Sequence, residues 1–147
     1  MSASNAFETA LLGLIFLNTD VANVGDAGGL QNSAVAGFFY ISLHTSTGPG
    51  ETGSQTTNEA AYTSYARVAT ARQASTWTVT GNTADNDAAI TFPQATGGSE
   101  TEAHFGIGSD LSGAGNLHLY GALTASLAVS SGITPEFAAG ALDVTLD

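Results

Sequence analysis

From Phe38 onward the apolar residues of this chain recur with a period of two, in short runs separated by glycine and asparagine. Antiparallel strands are the fold that such a pattern leaves open. Phe39, Ile41 and Leu43 alternate with Phe38, Tyr40, Ser42 and His44, which makes a strand whose second face is itself partly apolar. The same pattern predicts strands at Tyr65 to Ala71, Thr76 to Thr80, Ala88 to Phe92, Glu102 to Ile107, Leu117 to Leu123, Ser126 to Val129 and Ala138 to Leu146. Turns are expected at Gly81-Asn82, Gly97-Gly98 and Gly113-Ala114-Gly115. In the last run Leu142, Val144 and Leu146 share one face while Asp143, Thr145 and Asp147 share the other, as in a half-buried strand. The fold class expected is mainly β, an antiparallel β-sandwich, either jelly-roll-like or immunoglobulin-like, preceded by one N-terminal α-helix.

That helix is predicted over about Ala6 to Leu17. Asn5 and Glu8 have the spacing of a capping box, and Phe7, Leu11, Leu14 and Ile15 form a stripe of helical period. Leu12 and Phe16 lie outside the stripe, so the helix is expected between two surfaces, one its own domain and the other a neighbouring subunit. The apolar run Ala10 to Leu17 has no basic residue before it and Glu8 at its start, unlike a secretory signal, and it is too short to span a bilayer. A Gly/Asn/Asp-rich connector, Asn18 to Gly37, follows. Thr45 to Ala61 is rich in Gly, Ser, Thr and Asn and reads as an exposed loop or arm. The whole of residues 1–147 is expected to be a single domain.

Charge narrows the function. The chain has no lysine and no cysteine, and Arg67 and Arg72 face 13 acidic residues, a formal net charge of -11. Contacts with phosphates that release counterions are therefore not available, and neither nucleic acid nor an anionic membrane is an expected partner. A Walker-type phosphate loop and a Schiff-base mechanism both need a lysine, and disulfides and thiolate-bound zinc need cysteine. Only 10% of residues are charged, which points to surface hidden in an assembly.

Chemical sites are weakly marked. Glu100 and Glu102 project to one face of a strand, roughly 7 Å apart along the chain, a spacing that overlaps carboxylate separations in glycosidases. A solvated strand edge is the expected role, because one local pair supplies no opposing wall. Asp85-Asn86-Asp87 offers oxygen ligands of calcium type, but Ile90 stands where an EF-hand needs glycine, and a polar turn is expected. Gly106-Ile107-Gly108 lacks the third glycine of a dinucleotide fingerprint, since Leu111 occupies that place. A hairpin around Gly113 would bring His104 and His118 nearly opposite one another, with no third metal ligand evident. Trp77, Tyr62, Tyr65 and Tyr120 could form a sugar-binding face, although core or interface packing is the expected use of each. No catalytic, cofactor-binding or metal-binding residue is expected, and no cofactor.

The segments FYISLHTSTGPGETGSQTTNEAAYTSYARV (Phe39 to Val68), AITFPQATGGSETEAHFGIG (Ala89 to Gly108) and GNLHLYGALTASLAVSSGITPEFAAGALDVTLD (Gly115 to Asp147) resemble a family of small virion proteins of tailed bacteriophages. Its members are often labelled tail-fibre proteins, and some are head decoration, or cement, proteins. The resemblance covers most of the chain. It implies a non-enzymatic structural protein located in the virion, on the capsid surface, after synthesis in the host bacterial cytoplasm. The expected reading is a capsid cement protein whose partners are the major capsid protein and further copies of itself, with a trimer as the expected homo-oligomer. The alternatives are a tail or receptor-binding component that binds glycan through exposed aromatics, and a small carbohydrate-active enzyme using Glu100 and Glu102.

Overall fold

The computed structural model describes residues 2–146. One helix, α1 (Asn5–Leu17), is followed by nine strands among the described residues. They are β1 (Phe38–Thr45), β2 (Val68–Ala71), β3 (Trp77–Thr80), β4 (Thr83–Asn86), β5 (Ile90–Thr91), β6 (Ser99–Gly108), β7 (Leu117–Ser130), β8 (Glu136–Phe137) and β9 (Asp143–Thr145). The protein is mainly β with a single N-terminal helix, as the periodicity implies, and the β1/β6, β6/β7, β3/β4 and β4/β9 pairs are all antiparallel. The described residues gather into two compact units. The first runs up to Gly37 and adds Ala71–Ile90 and the chain from Phe137; the second joins Phe38–Thr70 to Thr91–Glu136.

The first unit packs α1 beside a three-stranded sheet of order β3-β4-β9. Ser4, not Asn5, is the N-cap, and its hydroxyl accepts from the Phe7 amide at 3.4 Å. The buried face is Glu8, Leu12, Gly13 and Phe16, spaced one turn apart, so the expected stripe of Phe7, Leu11, Leu14 and Ile15 has the wrong rotation. Phe7 is 41% exposed. The reason is aromatic: Phe16 meets the fully buried Trp77 with ring centroids 4.8 Å apart, and this large contact sets the helix about its axis. At the C-terminus of α1, Asn18 takes the left-handed conformation (φ 56°) and Arg72 supplies charge. Its guanidinium donates to the carbonyls of Leu14 at 2.7 Å, Ile15 at 2.6 Å and Ala36 at 3.0 Å, satisfying last-turn acceptors where the helix dipole is negative.

Asp85 and Asn86 lie within β4 and not in a polar turn. Asn86 is buried because its side chain organises the C-terminal segment: the amide donates to Ala88 and Ala138 carbonyls, and its oxygen accepts from the Leu142 amide at 2.8 Å. Leu142 and Val144 are buried on the face that the alternation assigned them.

The second unit is built on a four-stranded sheet of order β2-β1-β6-β7. Leu117 to Leu123 and Ser126 to Val129, expected as two strands, are one continuous strand of 14 residues. The interruption is an irregular pairing: His104 stands opposite Ala122, but Glu102 opposite Leu127, so the extra residues bulge from β7 without ending it. Thr45 to Ala61 has no long strand, and it is fastened to the sheet. The Ala60 amide donates to Leu43 and the Thr45 amide to Asn58, and Gln55 in its middle is fully buried.

Candidate functional site

Polar chemistry in the second unit is concentrated on one face of β1 and β6. Ser42 and Gly106 are cross-strand partners, as are His44 and His104, so the histidine opposite His104 is His44 and not His118. His118 instead meets the Phe39 ring edge-on, centroids 6.0 Å apart. Among the described residues no group of three or more His, Asp or Glu side chains is placed to hold a metal ion.

His44 is fully buried. The Thr57 carbonyl, 3.0 Å from Nδ1, can only accept, so Nδ1 carries the proton and Nε2 accepts from the Ser42 hydroxyl at 2.8 Å. Burial is the main cause that holds the imidazole below its ordinary pKa, which keeps it neutral in this arrangement. Ser42 and His44 resemble half of a nucleophilic triad, but neither is exposed at all. The seal is tight: a Cβ on Gly106 would lie 2.6 Å from Ser42 Oγ and 2.7 Å from His44 Nε2, so only glycine permits this approach.

Glu100 and Glu102 share a strand face, as expected, but not a solvated edge. Glu100 accepts from the amides of Ala61 at 2.8 Å and Tyr62 at 2.7 Å and so anchors the end of the polar loop. Glu102 is 0% exposed, and neither carboxyl oxygen has a hydrogen-bond partner among the described residues. Burial first, and then the adjoining Glu100 carboxylate, push its pKa up to about 8. A group so enclosed cannot reach a glycosidic bond in this conformation.

Arg67 forms a cluster that the sequence did not announce. Nε and Nη2 donate to the two carboxylate oxygens of Glu59 at 2.6 and 2.7 Å, while Nη1 and Nη2 also donate to the Asp110 and Gly113 carbonyls at 2.8 Å. Tyr65 adds a hydroxyl donated to Glu59 at 3.0 Å and accepts from the Leu43 amide; burial above all, then the Glu59 charge, raise its pKa far beyond the usual phenol range. A cleft of about 250 Å³ opens here, lined by Glu59, Tyr65, Arg67 and the loop Leu111 to Gly113. Four of the five guanidinium N–H groups are already engaged, so the cluster serves to fasten the loops around Glu59 and Gly113. One signal for it was present: in a chain with two cations and 13 acids, each arginine has many suitors.

Of the four aromatics considered for a sugar face, Trp77, Tyr62 and Tyr65 are occupied in packing. Tyr62 is buried and donates to the Pro93 carbonyl at 3.0 Å, and Tyr65 stacks on Phe92. Tyr120 alone among them is open, at 40%. It belongs to a scatter of exposed apolar side chains that includes Val35, Phe38 and Leu111. Among the described residues no helix is long and apolar enough to cross a membrane.

Comparison with known proteins adds one finding. A family model described as podophage GP4 fiber I protein gp80 matches residues 2–145. No curated protein matches the chain.

Proposed function

Since the chain belongs to the podophage GP4 fiber I protein family, and is thus a structural component of a phage virion, we propose that it is a non-catalytic subunit of a tail fibre that acts through its surface. The observation that carries this reading is the match over nearly the whole chain to a family described as a fibre protein. The side chains agree with a supporting role and not with a glycan-gripping tip. Three of the four aromatics that could stack on sugar rings are committed to packing, Glu100 accepts two backbone amides, and Glu102 is fully buried.

The capsid-cement reading is the rival. It draws on the same exposed apolar side chains, which would add interface energy between capsomers as readily as between fibre parts. Copies per virion separate the two. A symmetry-resolved image of the particle, with subunit counting, is expected to place a few to tens of copies on the tail; hundreds of copies on the head would replace the fibre assignment with cement. Incubation of the purified protein with host surface glycans is expected to leave them intact, and cleavage would overturn the non-catalytic part.

A further inference from the structure

Strand β7 closes one side of its sheet. The order β2-β1-β6-β7 gives it β6 as a neighbour and, among the described residues, leaves its other edge without a strand, along 14 residues or roughly 45 Å. Edge strands are normally short, or carry charges or proline that discourage further pairing. The sequence LHLYGALTASLAVS has no Asp, Glu, Lys, Arg or Pro. The bulge bends it into two regularly paired stretches, Leu119 to Ala122 and Leu127 to Ser130, each with the backbone already extended.

We propose that the outer edge of β7 is the surface through which a second copy of this chain is bound. The inference rests on the reading of the protein as a structural subunit, and it holds for a fibre or a cement alike. Charge names the occupant. Both arginines are spent in internal hydrogen bonds while most carboxylates stay at the surface, so two copies repel one another wherever they approach through charged faces. From Leu111 to Pro135, 25 residues contain no charged side chain, and β7 lies in the middle of them. A partner selected by opposite charge would be drawn to the carboxylates and find nothing on β7. A copy of the chain brings an identical uncharged strand. Exposed Ala122, Ala125 and Ala128 let two backbones come close, and Tyr120, Leu111 and Ile133 supply exposed apolar area beside them.

The test compares the wild type with Ala122→Glu/Ala128→Glu, two exposed sites where like charges would face each other in the assembly. Val35→Glu, at a position 79% exposed in the first unit, is the control. Sedimentation and light scattering at tens of micromolar should give the wild type and the control at least twice the 14.7 kDa chain mass, and the double variant the single-chain mass with an unchanged circular dichroism spectrum. If the double variant fails to fold, hydrogen exchange on the wild type decides, with β7 amides expected to gain protection as concentration rises. A monomeric wild type would overturn the proposal, as would a folded double variant that still assembles, or exchange in β7 that ignores concentration. None of these results bears on where in the virion the protein sits, so the fibre assignment stands or falls separately.

Discussion

Arg67 and Glu59 form a two-pronged ion pair, 2.6 and 2.7 Å, with the arginine side chain only 2% exposed and the glutamate side chain 15%. The pair joins the end of the polar loop to the loop before β7, because the same guanidinium also holds the Asp110 and Gly113 carbonyls.

Removing one partner leaves the other charge enclosed. Arg67→Met should therefore cost about 3–5 kcal/mol of stability, read from urea unfolding at neutral pH. Replacing both residues with apolar ones of similar volume should cost much less, since no orphan charge remains. A double-variant loss equal to the sum of the two single-variant losses would show that the charges are not coupled.

At the helix, Arg72→Gln withdraws a cation from the carbonyls of Leu14 and Ile15. Charged hydrogen bonds and the dipole term together predict a loss of about 2 kcal/mol. Amide exchange should quicken in α1 first. Uniform quickening across all strands, with α1 no worse, would contradict a capping role.

The pH dependence of stability should carry the signature of Glu102. Its pKa in the folded chain is raised to about 8 from an ordinary 4.5, so the folded state keeps a proton that the unfolded state releases between those values. Its contribution is full below about pH 4.5 and is lost as pH rises towards 8. Glu102→Gln, which stays neutral, should flatten that decline and be more stable than wild type at pH 8 by on the order of a few kcal/mol. Melting curves of the two proteins from pH 4 to 9 give the comparison, and parallel profiles would refute it.

Gly106→Ala should lower stability by about 1–3 kcal/mol through overpacking, because the added methyl meets Ser42, His44 and the Leu117 side chain, all within 2.8 Å. Ser42→Ala in the same background should recover part of the loss by making room. Thermal melts of the three variants test this.

Periodicity revealed the strands and their faces where the alternation was strict, as at Leu142 and Val144, and the presence of the helix. It mis-set the helix rotation, because Phe7, Leu11, Leu14 and Ile15 and the true face through Leu12 and Phe16 are both apolar, and only the position of Trp77 decides between them. It also divided β7, since a bulge and a turn look alike when the local residues are Thr124 and Ala125. Of the polar sites, Glu100 and Glu102 were visible as a pair, but neither the burial of Glu102 nor the hold of Glu100 on the Ala61 amide was, since Ala61 is distant in sequence. The His44/His104 pairing and the Arg67 cluster depend likewise on register and loop path, which no local spacing encodes.

With both guanidinium groups turned inward, salt should act on this protein with an unusual sign. There is little attraction between copies for ions to screen, and much repulsion. At 0.01 M ionic strength the repulsion reaches about 30 Å, and at 0.15 M about 8 Å, so self-association should tighten as salt is added and loosen on dilution into low-salt medium. A virion carrying many copies would wear an anionic coat whose cohesion depends on the ions of its surroundings.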